Sequence, residues 1–123
     1  MQFLTPRKRA EGMGAAHHGT HHHWQMQVTG MALAILVPFF LFTFGRILGA
    51  PYEEVVAYYS RPVPAVVAGL TLVVGLLHFA AGAQMAIKDY SGGMTRKILV
   101  VAANFVAYAA AAFAIFALVR LAL

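Results

Sequence analysis

The sequence has no cysteine among its 123 residues, and it is poor in charge. Without thiols, the chain forms no disulfide, no Cys-ligated zinc site, no Cys-bound iron–sulfur cluster and no covalent c-type haem attachment. The lack of cysteine does not exclude a haem that is bound without a covalent link. Only 11% of the residues are charged, whereas a soluble domain usually carries about 25%. With 61% hydrophobic residues, the composition is typical of a chain whose solvent is lipid.

Acidic residues are the scarcest charged group, with four Asp and Glu against nine Lys and Arg. The resulting net charge of +5 does not indicate a nucleic-acid partner. A phosphate-binding surface needs basic residues clustered on a soluble face, whereas here they lie at the edges of apolar runs. We therefore expect no nucleic acid, and a lipid bilayer as the surroundings.

Three long stretches of the chain lack Asp, Glu, Lys and Arg. Their apolar parts are long enough to cross a bilayer, and they predict transmembrane helices over about residues 25–47, 63–88 and 98–120. Helix is the natural structure because every backbone polar group in hydrocarbon must be paired internally. The first run is long for a signal peptide, so we expect it to be retained. The predicted fold class is an all-α membrane protein with one transmembrane domain, residues 1–123, whose first 23 residues form a cytoplasmic segment.

Basic residues set the expected orientation in the membrane. One side of the predicted topology carries Arg7, Lys8, Arg9, Lys88, Arg96 and Lys97. The other side carries Arg46, Arg61 and Arg120, with Glu53 and Glu54 nearby. The positive-inside rule then puts the N-terminus in the cytoplasm and the C-terminus in the periplasm. No organelle-targeting segment is evident, which favours a bacterial inner membrane over a mitochondrial one.

His78 lies well inside the second predicted span, on a face of small and polar side chains. At about 100° per residue, this histidine face carries Thr71, Gly75, His78, Gly82, Met85 and Asp89. Glycines beside a histidine leave a shallow trough for a flat macrocycle whose metal the imidazole binds. The second ring nitrogen then needs a backbone carbonyl or a hydroxyl. Intramembrane ionisable residues tend to be functional, but proton or substrate handling and simple packing are alternatives from spacing alone.

The spacing HxxxGxxxxxxDY resembles the small three-helix cytochrome b556-type anchor subunit of succinate dehydrogenase, respiratory complex II. Here it reads His78, Gly82, Asp89 and Tyr90, at the cytoplasmic end of the second of three spans. The stretch HHWQMQVTGMAL, residues 22–33, is similar to the same subunit. Length and topology agree as well, so the resemblance covers the chain from about residue 12 onward.

The resemblance implies a pair of anchor subunits that bind one b-type haem between them, each providing one axial histidine. His78 matches this chain's ligand to the haem iron, and Thr71, Gly75, Gly82 and Met85 are expected to pack against the haem. The pair would dock a flavoprotein subunit with FAD and an iron–sulfur subunit on the cytoplasmic face. Electrons from succinate would then reach ubiquinone, with Tyr90 matching the tyrosine that bonds a quinone carbonyl and Asp89 the supporting acid.

The start of helix one departs from the family pattern. Members often carry an arginine that faces the haem propionates, whereas Gln27 or Val28 stands here. Five of the six histidines lie just before, in residues 17–24. Zinc binding there is an alternative, but we expect His22 or His23 to border the propionates or the quinone pocket. Trp24 is expected to anchor at the membrane interface or to cover the quinone entrance.

Two other functions also fit the residues. A fumarate reductase anchor would keep the redox chemistry and differ in the direction of electron flow. A small membrane scaffold or transporter subunit without haem would use His78 as a structural or proton-relay residue. The leading hypothesis is a non-catalytic anchor subunit of succinate dehydrogenase that contributes to haem binding and quinone reduction.

Overall fold

The computed structural model describes residues 3–12, 14 and 19–123. These residues form helices and no strands, which confirms the predicted all-α fold. The helices are α1 (Pro6–Glu11), α2 (Gly19–Gly45), α3 (Tyr52–Tyr59), α4 (Pro62–Tyr90) and α5 (Gly93–Ala122). Within the described residues, α2, α4 and α5 are the three helices long and apolar enough to cross a membrane.

Two of the long helices begin earlier than their apolar runs. Helix α2 begins at Gly19, and α5 begins at Gly93, each several residues before the predicted span. Propagating a helix adds one backbone hydrogen bond for each residue fixed, so it continues through polar residues until the chain must turn. The turn between α4 and α5 is only Ser91 and Gly92. Gly93 then has a φ of 58°, a left-handed conformation that glycine adopts without a steric penalty.

The segment YEEVVAYY between the first two long helices forms the eight-residue helix α3. The Tyr58 hydroxyl donates a hydrogen bond to the Thr43 carbonyl at 3.0 Å, which ties α3 to the end of α2. Pro62 begins α4, where its missing N–H costs nothing because first-turn donors have no helical partner. The segment between α2 and α4 is therefore ordered, with a helix of its own that is bonded to the end of α2.

Helix α4 is the centre of the bundle, since it packs against both α2 and α5. The most buried residues are mainly small, namely Tyr59, Pro64, Ala68, Thr71, Ala80, Ala81 and Ala107. Small side chains let helix backbones approach closely, and packing of this kind drives association inside membranes. Large apolar side chains such as Phe42 and Phe113 lie outside, 73% and 74% exposed. This outward apolar surface fits lipid or other membrane helices.

Candidate functional site

The His78 imidazole faces α2 and contacts the hydroxyl of Thr29. Its Nδ1 lies 2.8 Å from Thr29 Oγ1. The same oxygen lies 2.8 Å from the Gln25 carbonyl and 3.2 Å from the Met26 carbonyl. A hydroxyl has one proton and two lone pairs, and a carbonyl can only accept. When the Thr29 proton goes to one of these carbonyls, the Nδ1–H of His78 is the donor to Thr29 Oγ1.

This arrangement corresponds to the tautomer of His78 with the proton on Nδ1 and the lone pair on Nε2. Hydrogen bonds within the described ranges involve Nδ1 of His78 and not Nε2. In the same ranges, Nε2 of His78 is not among the buried side-chain atoms that lack a hydrogen-bond partner. His78 thus presents an accessible imidazole nitrogen able to bind a metal ion or a proton.

The glycines of the histidine face lie against α2 of the same chain. A Cβ added to Gly75 would lie 3.8 Å from Leu33 Cδ2, and one added to Gly82 would lie 3.8 Å from Met26 Cε. The trough predicted beside the histidine is therefore occupied here by side chains of α2. The physical reason is that glycines remove the side chains that would keep two helices apart. Haem contact by these glycines stays a prediction.

Thr71 begins the histidine face, and Met85 lies near its other end. The Thr71 hydroxyl is buried and donates to the Val67 carbonyl at 2.7 Å, with the Leu36 carbonyl of α2 at 3.5 Å. Met85 lies toward the other end of α4 and is 45% exposed. Thr71 thus has a packing role between α2 and α4, and its predicted contact with haem, like that of Met85, stays a prediction.

Gly30 of α2 faces the His78 ring. A Cβ on Gly30 would lie 3.5 Å from His78 Cε1, an ordinary contact distance, so the ring lies close to the backbone of α2 here. Gly30 also lines a cavity of about 370 Å³, together with His23, Met26, Gln27, Met31 and Ala34. Two predicted site residues, His23 and Gln27, meet here with their Nε2 atoms 3.5 Å apart.

A second cavity, of about 490 Å³, lies between the start of α2 and the end of α4. It is lined by Gly19, His22, Met85, Lys88 and Asp89, three of which were predicted as site residues. Among the residues that the structure describes, His22 Nε2 is the buried side-chain atom without a hydrogen-bond partner. Such an atom is available to a polar group of a ligand, because buried polar groups in proteins are normally paired.

The structure does not bring Tyr90 or Trp24 into either cavity. Tyr90 ends α4 with 91% of its surface exposed, and Trp24 is 64% exposed on α2. Both side chains are therefore free to contact lipid or another subunit, and their predicted roles stay predictions. His17 and His18 of the histidine-rich segment lie outside the described residues.

Thr29 and Gly30 were not predicted as site residues. A bound imidazole needs a hydrogen-bond partner at its second nitrogen. The sequence therefore predicted a hydroxyl or a carbonyl there, without indicating which residue provides it. The adjacent Thr-Gly pair near the start of helix one was the available signal, but its direction toward His78 depends on how α2 packs on α4.

An axial haem ligand needs an imidazole nitrogen that is free to bind iron, and Nε2 of His78 makes no hydrogen bond within the described part of the chain. No group of three or more His, Cys, Asp or Glu residues suited to a metal ion occurs in the described part of the chain. The donors near His78 thus fit one axial position of a haem and do not enclose a bare metal ion.

Three helices long and apolar enough to cross a membrane, with a histidine of one facing another, define a small integral membrane protein. The family profile described as "Succinate dehydrogenase/Fumarate reductase transmembrane subunit" matches residues 1–119. The chain is also 42% identical over 123 residues to the succinate dehydrogenase hydrophobic membrane anchor subunit of Paracoccus denitrificans, covering 100% of this chain and 95% of that one. No solved structure matches the chain. The chain belongs to the succinate dehydrogenase/fumarate reductase transmembrane subunit family, which confirms the resemblance carried by HxxxGxxxxxxDY.

Proposed function

We propose that this membrane anchor subunit serves a succinate:ubiquinone oxidoreductase, in which it binds haem b together with a second anchor subunit. The observation that carries the proposal is the 2.8 Å hydrogen bond between His78 Nδ1 and Thr29 Oγ1, because it leaves Nε2 as the ring nitrogen that can ligate. The second axial ligand would come from the partner anchor, as the family resemblance implies.

Bound haem b would supply one-electron transfer within the membrane. The residues of this chain hold and orient the ligand nitrogen. Helix α4 carries His78, Thr29 holds the ring from α2, and Gly30 lets the ring lie close to α2. The apolar membrane surroundings would keep water away from the imidazole. Because no arginine stands at the start of α2, His23 and Gln27 are this chain's candidates for contacting the haem propionates.

The cavity lined by His22 and Asp89 supports a role in quinone binding. Reduction of a quinone to a quinol takes two electrons and two protons, so polar groups beside it must donate hydrogen bonds and pass protons. His22 has a buried, unpaired Nε2 within the described chain, and Asp89 lines the same cavity. Tyr90 is the next residue, and its hydroxyl would donate to a quinone oxygen as negative charge develops. Trp24 would cover the entrance.

The charge distribution supports docking of the flavoprotein and iron–sulfur subunits at the end of the bundle that contains the α4–α5 turn. Lys88, Arg96 and Lys97 lie at this turn. Arg96 Nε also donates to the Ser91 carbonyl at 2.7 Å, which orders the turn. By the positive-inside rule this end faces the cytoplasm of a bacterial inner membrane, and the C-terminus faces the periplasm.

The test is His78→Ala in the complete membrane complex, with His21→Ala as the matched control because His21 is exposed and outside both cavities. We expect the optical spectrum of a low-spin b-type haem in the native complex, its loss in His78→Ala and its retention in His21→Ala. Succinate oxidation with an artificial acceptor checks that the complex has assembled.

A native complex without this spectrum, or a His78→Ala complex that keeps it, would refute the proposal. The first result would favour a membrane scaffold without haem. Comparing the rates of succinate oxidation and fumarate reduction in the native complex tests the direction of electron flow, and a strong preference for fumarate reduction would instead indicate a fumarate reductase anchor.

A further inference from the structure

Thr29 makes a contact that its own helix does not require. A threonine inside a membrane helix is commonly satisfied by donating to a carbonyl three or four residues earlier. Thr43, on the same helix, does only this, with Oγ1 donating to the Phe40 carbonyl at 3.0 Å. Thr29 makes the same kind of bond and in addition lies 2.8 Å from His78 Nδ1.

We infer that Thr29 is a positioning residue for His78, which fixes the imidazole in the tautomer that ligates through Nε2 and raises the electron density on that nitrogen. The inference rests on the proposed function, in which His78 binds haem iron. Thr29 contacts the imidazole and would not contact the iron, so it would act on the iron through His78.

The hydrogen-bond directions carry this inference. When the Thr29 hydroxyl donates to the Gln25 carbonyl, 2.8 Å away, its oxygen offers a lone pair to the Nδ1–H of His78. Without that acceptor, the buried N–H would lose its partner, and the tautomer with the proton on Nε2, which cannot ligate, would compete. An acceptor on the second ring nitrogen also raises the basicity of the ligand nitrogen. A more basic ligand stabilises ferric over ferrous iron and lowers the midpoint potential.

The experiment compares Thr29→Val, Thr29→Ser and Thr43→Val in the complete four-subunit complex. Valine has nearly the shape of threonine and lacks the hydroxyl, whereas serine keeps it. The measurements are haem content per flavin, the midpoint potential from an optical redox titration, and the low-temperature EPR g-values of the ferric haem. Succinate oxidation with an artificial acceptor reports assembly.

We expect Thr29→Val to weaken haem retention by about 10- to 100-fold, as outer partners of metal ligands typically do. The haem that remains should show a higher midpoint potential and altered g-values. Thr29→Ser should restore all three properties, and Thr43→Val should leave them unchanged. If Thr29→Val fails to assemble, Thr29→Ala is measured in its place against the same criteria.

Native values of all three properties in Thr29→Val would overturn the role of Thr29. So would a Thr29→Ser complex that behaves like Thr29→Val, because the methyl group and not the hydroxyl would then matter. An equal effect of Thr43→Val would also overturn it, since the cause would be general weakening of α2. Absence of haem from the native complex, or its persistence in His78→Ala, would instead refute the proposed function and this inference with it.

Discussion

Gln84 on α4 donates a hydrogen bond from Nε2 to Oδ1 of Asn104 on α5 at 2.9 Å. Asn104 in turn donates from Nδ2 to the Val100 carbonyl of its own helix at 2.8 Å. Small apolar residues such as Ala81 of α4 and Ala107 of α5 are buried in the same bundle. A directional polar contact among such residues constrains the rotation of α4 against α5, and on the same helix His78 faces α2.

Removing this amide pair should weaken the bundle cooperatively. We expect Gln84→Ala and Asn104→Ala each to destabilise the complex, with a coupling free energy of about 0.6 kcal/mol and at most about 1.7 kcal/mol in a double-mutant cycle. The measurement is unfolding of the detergent-solubilised complex by a denaturing detergent. Gln25→Ala, a change at an exposed α2 position, is the control. Strictly additive single effects would show that the two side chains do not interact.

The close approach of Gly30 to the His78 ring should limit which residue is tolerated at position 30. Gly30→Ala places a Cβ at an ordinary contact distance of 3.5 Å from His78 Cε1, so haem content should stay native. Gly30→Leu adds a branched side chain that would cover the ring edge, and we expect haem to be lost. Gly45→Leu is the control, because nothing lies within 4 Å of a Cβ there. Native haem content in Gly30→Leu would mean that haem approaches His78 from another side.

Loss of the Tyr90 hydroxyl should slow quinone reduction specifically. In Tyr90→Phe, we expect the succinate:quinone reductase rate to fall on the order of 100-fold, the usual cost of losing one donor to developing negative charge. Succinate oxidation by an artificial acceptor should stay native. Tyr52→Phe is the control, because Tyr52 is 78% exposed in α3, outside both candidate cavities. Equal loss of both activities would indicate failed assembly, and native quinone turnover would exclude Tyr90 from the site.

Removing the unpaired nitrogen of His22 should weaken quinone binding. We expect His22→Leu to raise the KM for quinone by about 10-fold, which corresponds to one lost hydrogen bond. The measurement is steady-state quinone reduction at varied quinone concentration. The control is His21→Leu, since the neighbouring His21 is exposed and does not line the cavity. A KM that is unchanged in His22→Leu, or raised equally in both variants, would argue against a quinone site in this cavity.

The sequence by itself determined the membrane class, the all-α fold and the family. Charge-free apolar runs of about a membrane thickness leave helix as the natural structure, because backbone groups in lipid must pair within the segment. The spacing from His78 to Asp89 and Tyr90 identified the family, since a helix converts spacing directly into position along its axis and around it. These inferences depend on local periodicity, which a linear sequence contains.

Only the tertiary structure decided which surfaces of those helices meet. The order of residues in α4 places Gly75, His78 and Gly82 on one face, but it does not say that α2 of the same chain covers that face. It therefore could not select Thr29 as the partner of His78, nor separate the cavity beside Gly30 from the one beside His22. The physical reason is that helix contacts in lipid depend on close packing and a few directional hydrogen bonds, and these arise only when helices distant in sequence come together.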